Sequence, residues 1–151
     1  MPPAAPPQSD DTLPAPRANP VLLGHDVAEA ALLRAWRSGR MPHAWLLAGP
    51  RGIGKATLAF RLARFVLAEG AAEAEGQGGL FGGPAGPPPD TLALDPANPV
   101  FRRAAAGGHP DLFTLETGMI HPDTKKSTTE IIAPHVRRVN EQLRMTPVEG
   151  G

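Results

Sequence analysis

The chain has 151 residues, with 15 Lys+Arg balancing 15 Asp+Glu, and it contains no cysteine. Zero formal net charge excludes a nucleic-acid binder that works by bulk charge, and the lack of thiols excludes disulfides, Cys-ligated zinc and thiol catalysis within this chain. Gly (17) and Pro (19) make up about a quarter of the chain, twice ordinary usage, so a compact core cannot run through its whole length.

Residues 1–18 are rich in Pro and Ala without periodicity and are expected to form a disordered tail. Residues 19–151 are expected to form the domain, interrupted at about 70–90 by a low-complexity Gly/Pro-rich insertion (GAAEAEGQGGLFGGPAGPPP). His25 to Ser38 reads as a helix, because Ala28, Ala31, Leu32, Ala35 and Trp36 recur at helical spacing. Gly39 is its stop, and Pro42 prevents easy continuation. Ala44 to Ala48 (AWLLA) is a short apolar run between Pro42 and Gly49, which suits a buried strand. Lys55 to Ala68 reads as a second helix, with Ala59, Leu62, Ala63, Val66 and Leu67 on one face and Arg61 and Arg64 exposed. Asp111 to Glu116 (DLFTLE) alternates as a strand does. A third helix is expected from Pro134 to Met145, with Pro134 at its first position and Val136, Val139 and Leu143 on its apolar side. Trp36 and Trp45 read as core or interface aromatics. No apolar run approaches the ~20 residues that span a bilayer, and no signal-peptide core is present, so a cytoplasmic protein without a membrane partner is expected.

One motif carries chemistry. Gly49-Pro50-Arg51-Gly52-Ile53-Gly54-Lys55 matches the phosphate-binding pattern G-x-x-x-x-G-K. Glycines let the backbone reach positive φ and turn its N–H groups toward a phosphate at the helix N-terminus, while the lysine reaches the terminal phosphates. The expected strand before Gly49 and helix from Lys55 supply the setting that this motif uses. An α/β P-loop fold is therefore expected, with a parallel sheet and flanking helices. The candidate phosphate-binding residues are Gly49, Gly52, Gly54, Lys55, Ala56 and Thr57. Position 56 departs from the pattern. A hydrolysing P-loop carries Ser or Thr there to hold Mg²⁺, whereas this chain has Ala56. Thr57 is rotated away by ~100° on the helix. Two readings follow: a weakly active ATPase that tolerates the change, or a phosphate loop that has given up Mg²⁺-dependent hydrolysis. No residue is a good catalytic candidate.

The stretch from Asn19 to Leu67 resembles the N-terminal part of the bacterial clamp-loader AAA+ subunits, and most of all the delta-prime subunits of DNA polymerase III in an alphaproteobacterial style. Gly24-His25, Arg40-Met41-Pro42-His43-Ala44 and the loop GPRGIGKAT carry the resemblance. Asp95-Pro96-Ala97-Asn98-Pro99-Val100 and Gly108-His109-Pro110-Asp111-Leu112 extend it to residues 92–151. It implies an AAA+ P-loop domain and a role in loading the sliding clamp onto primed DNA. The implied partners are the other clamp-loader subunits (gamma/tau and delta), the clamp, and DNA through the complex. Delta-prime members often have a degenerate loop and act as a rigid stator, which Ala56 matches. ATP or ADP remains open as a ligand, Mg²⁺ is disfavoured, and the four-cysteine zinc module of many relatives has no counterpart here. The family's Ser-Arg-Cys motif is missing as well. The resemblance further implies an N-terminal fragment whose sheet is incomplete at the C-terminus, because the Walker B strand, sensors, lid and collar would follow Gly151. The alternative is an ATP-hydrolysing gamma/tau-like subunit or another P-loop NTPase.

The remaining polar residues point to less. The spacing of His25, His43, His109, His121 and His135 fits no metal template. Arg137 and Arg138, near Lys125 and Lys126, suit a solvated face, with contact to a neighbouring subunit or DNA phosphate as the other reading.

Overall fold

The computed structural model describes residues 13–78, 89–121, 124–145 and 147–148. Four helices order these residues: α1 (Asp26–Arg37), α2 (Lys55–Gly78), α3 (Pro99–Ala105) and α4 (Ala133–Gln142).

Local chemistry explains their limits. Helix α1 has Asp26 and Glu29 in its first turn and Arg34 and Arg37 in its last, the order the helix dipole favours. It stops where Gly39 takes φ +65° and donates its N–H to the Trp36 carbonyl. Helix α3 is absent from the elements expected above. Asn98 caps it by accepting the Val100 N–H at 2.8 Å, and Pro99 occupies its first turn. Helix α2 extends ten residues past the expected end at Ala68, because the Ala/Glu-rich start of the low-complexity segment has high helix propensity. The rest of that segment (79–88) and the expected tail up to residue 12 lie outside the described residues.

The core forms where α1 crosses α2. Leu32 and Leu33 of α1 meet Leu58 and Phe65 of α2, and Leu92 from the segment before α3 closes the cluster. Trp36 packs edge-on to Phe65, with ring centroids 5.4 Å apart and planes at 80°. Each of these large apolar side chains contributes about 1.5–3 kcal/mol by leaving water. Helix α3 rests on α2 and buries Val100, Phe101 and Ala104.

The expected parallel sheet is not there. No strand occurs among the described residues, and the only β pairing among them is an isolated antiparallel bridge between Ile120 and Ser127. The α/β P-loop fold with flanking helices is thereby overturned: the described part is helical. Ala44–Ala48 and Asp111–Glu116 have the apolar composition of strands, but a strand exists only through a neighbour that accepts its ladder. Neither segment has one among the described residues. Trp45 is half-exposed and Leu46 is 92 % exposed, so the apolar run lies at the surface.

The expected exposure of Arg61 and Arg64 is also overturned. Arg64 is 1 % exposed, and the Arg61 side chain is largely covered. Both are buried by the chain that precedes α1.

Candidate functional site

The glycine loop leads directly into α2. Gly49, Gly52 and Gly54 take φ values of +150°, +85° and +96°, and the first bond of α2 runs from the Leu58 N–H to the Gly54 carbonyl. These are backbone conformations that L side chains rarely adopt. Gly54 also needs its missing Cβ for space: a methyl there would meet His25 Nε2 at 3.1 Å and Leu22 Cδ1 at 3.5 Å. At Gly52 nothing lies within 4 Å, so only its backbone conformation calls for glycine.

Lys55 folds back over the loop. Its ammonium donates to the Gly49 carbonyl at 2.9 Å and to the Pro50 carbonyl at 2.6 Å. The charge of the lysine is therefore held by two neutral acceptors of the loop. An anion that enters the loop competes with those carbonyls for the same protons. The two positions after the lysine differ. Ala56 is exposed and offers no hydroxyl, while Thr57 is 7 % exposed and belongs to the interior. Loop, lysine and helix start are thus brought together as the sequence motif requires, but without the strand before it.

The loop has a neighbour that sequence reasoning missed. The segment Arg17–His25 runs as a strap across α2 and ends against the loop. Arg64 donates to the carbonyls of Arg17 at 2.6 Å and Asn19 at 3.0 Å, and Arg61 donates to the Pro20 carbonyl at 2.9 Å. Arg61 also pairs with Glu29 of α1 at 2.9 Å, and the same Glu29 oxygen accepts the Leu92 N–H at 3.2 Å. At the strap's far end, the His25 ring donates to the Ile53 carbonyl inside the loop. Arginines at i and i+3 on a helix, flanked by Phe60, Leu62, Ala63 and Phe65, were the available signal: two cations inside an apolar stretch need carbonyl or carboxylate partners.

Arg64 carries the largest electrostatic cost in this region. Burial, followed by the nearby Arg61 charge, pushes its guanidinium below the ordinary arginine range. The Phe101 ring lies 4.3 Å from its Cζ and offsets part of that cost through the face of its π system.

Among the described residues no group of three His, Asp or Glu is placed to share a metal ion. No helix among them is long and apolar enough to cross a membrane. Comparison of the chain with protein-family models, with curated proteins and with solved structures gives no match.

Proposed function

We propose that this chain serves as a clamp-loader subunit of the delta-prime kind: a bracing subunit with a phosphate-binding loop and no hydrolytic role of its own. Its partners in this reading are the gamma/tau and delta subunits, the sliding clamp and, through the complex, primed DNA, in the cytoplasm. One observation supports the reading above the others. The loop 49–55 has three glycines at positive φ and a lysine across it, but Ala56 follows where a metal-holding hydroxyl would stand. Such a loop holds phosphate oxygens through backbone N–H groups and a single cation, without positioning Mg²⁺ for an in-line attack. ATP or ADP is the ligand class, with no dependence on the metal. Packing of the strap against the loop suits a bracing role, because it ties the nucleotide loop to α1 through His25.

Two measurements on the 151-residue chain test this. The first is co-sedimentation with purified gamma/tau and delta subunits, which is expected to give a complex. The second is ADP and ATP binding with and without Mg²⁺, for the natural chain and for Ala56→Thr. Metal-independent binding without turnover is expected for the natural chain. Failure to associate with any clamp-loader subunit refutes the partner assignment. Mg²⁺-dependent turnover by the natural chain transfers the reading to a gamma/tau-like ATPase.

A further inference from the structure

Helix α2 begins with donors that no backbone acceptor takes. Its first bond runs from the Leu58 N–H to the Gly54 carbonyl, so the N–H groups of Gly54, Lys55, Ala56 and Thr57 have no backbone partner among the described residues. In the reading proposed above, these are the groups that a phosphate meets. The helix itself aims the Lys55 N–H, because the carbonyl of the same peptide, that of Gly54, accepts from Leu58. The Gly54 N–H lies one peptide ahead of that bond. Its direction has to be set by whatever holds the Ile53 carbonyl.

The peptide between Ile53 and Gly54 has an intrinsic ambiguity. Gly54 takes φ +96°. Glycine populates positive and negative φ about equally, so this peptide can turn over without a clash at the Gly54 Cα. Turning it over replaces the Gly54 N–H by the Ile53 carbonyl, and an oxygen then faces an anion that needs a donor. The peptide is trans, and in a trans peptide the C=O and N–H point in opposite directions. A partner that fixes the carbonyl therefore also aims the N–H.

His25 is that partner. Its Nε2 bonds the Ile53 carbonyl, which can only accept, so Nε2 carries the proton. The same ring crowds the next residue: a Cβ on Gly54 would lie 3.1 Å from Nε2 and 3.6 Å from Cδ2. Ile53 is held at its side chain as well, since a Cβ on Gly49 would meet its Cδ1 at 2.9 Å. His25 is half-buried, and Leu22 beside it in the strap packs on the core. We propose that His25 is a positioning residue of the phosphate loop. By bonding the Ile53 carbonyl it keeps the 53–54 peptide in the orientation that turns the Gly54 N–H away from the strap and offers it to the anion. The role falls on a residue outside the glycine motif, 28 positions before Ile53. It rests on the reading of the loop as a phosphate site, and it adds what sets the affinity of that site.

ADP without Mg²⁺ is the probe, titrated calorimetrically into the full chain and its variants, each checked for unchanged circular dichroism. NMR of the free chain follows the Ile53 carbonyl carbon and the Gly54 amide. His25→Ala is expected to move both resonances before any ligand is added. It is also expected to weaken ADP binding at least about threefold, because loss of one hydrogen bond lets the turned peptide compete. His25→Gln carries an N–H donor at about the reach of the imidazole Nε2 and is expected to restore the affinity to within about twofold of the natural chain. Space-filling alone predicts no such rescue. The inference is overturned if His25→Ala weakens binding less than that or leaves the two resonances in place. It is overturned too if His25→Gln binds no better than His25→Ala. Lys55→Ala separates this failure from that of the proposed function. If it abolishes binding while His25→Ala does not weaken it, the phosphate loop stands and only the role of His25 falls. If the natural chain binds no ADP, both fall together.

Discussion

Replacing Arg64 tests whether the strap is held by directed bonds or only by apolar contact. In the natural chain its guanidinium makes two bonds to carbonyls, at 2.6 and 3.0 Å, and lies 4.3 Å from the Phe101 ring centre. Bonds from a charged donor contribute about 1.5–3 kcal/mol each, and a desolvated cation–π contact adds about 2 kcal/mol. Against this stands a desolvation penalty of several kcal/mol for a side chain 1 % exposed. Arg64→Met removes the bonds and the penalty together and keeps apolar volume, so the net loss should be about 2 kcal/mol. Arg64→Lys keeps the charge but gives up the fork and the planar face, and its loss should reach about 3 kcal/mol. The order is the sharp expectation: lysine worse than methionine. Urea unfolding followed by circular dichroism measures it as a shift in midpoint at constant slope. Proteolysis ahead of α1 should accelerate in both variants. A lysine variant within about 0.5 kcal/mol of the natural chain refutes the reasoning, because surface-like substitutions fall in that range. Burial, and then the Arg61 charge, lowers the Arg64 pKa in the folded chain, so its charge imposes a cost on folding that is fully present below the folded pKa and disappears as pH rises through it.

Three further outcomes follow from the same geometry. Gly54→Ala should destabilise more than Gly52→Ala in thermal unfolding, since both pay for positive φ, about 1–2 kcal/mol, but only Gly54 adds a 3.1 Å encounter with the His25 ring; equal effects would show that the strap does not press on the loop. Asn98→Ala should cost about 1 kcal/mol by removing the cap of α3, and hydrogen exchange at Val100 should rise; an unchanged rate would count against that cap. Glu29→Ala leaves both Arg61 and the Leu92 N–H without a carboxylate and should cost about 2–3 kcal/mol in urea unfolding, a prediction that a loss under about 0.5 kcal/mol would refute.

The helices were legible because their signals are local. Periodicity found α1 and α2, and Pro134 with Val136 and Val139 found α4, since side chains one turn apart share a face whatever surrounds them. Helix α3 was missed although Asn98-Pro99 is a start signal, because seven residues hold too little periodicity to register. The apolar runs at 44–48 and 111–116 misled for a different reason. Composition reports that a segment suits burial, not that a neighbouring strand exists to receive its hydrogen bonds. Trp45, Leu47, Leu112 and Phe113 instead line an open apolar groove of about 470 Å³ beside α2. Of the candidate site, the glycines and Lys55 were legible from spacing alone. The strap was not, because its bonds join residues about 30 to 50 positions apart through backbone carbonyls, which every residue carries and no side-chain pattern reveals.

Loop and strap act as one mechanical unit, and the chemistry of each explains the other. The loop needs glycine at position 54 because the strap's His25 and Leu22 occupy the space that a side chain would fill. The strap can approach that closely because Arg61 and Arg64 hold its earlier carbonyls on α2, two turns beyond the loop. Helix α2 therefore presents its N-terminus to the phosphate loop and its next turns to the strap, so a displacement of the strap is felt at the Ile53 carbonyl through His25. Lys55 bonds to other carbonyls of that loop, those of Gly49 and Pro50. An anion that draws the ammonium from those carbonyls changes the bonding of the same seven-residue turn that His25 bonds at Ile53. Ligand binding at Lys55 should therefore alter the His25 ring resonances without direct contact. Arg64→Met, by loosening the strap, should reduce that response while leaving the loop residues themselves intact. A His25 signal that stays silent through a saturating ADP titration would show that the loop and the strap are mechanically independent.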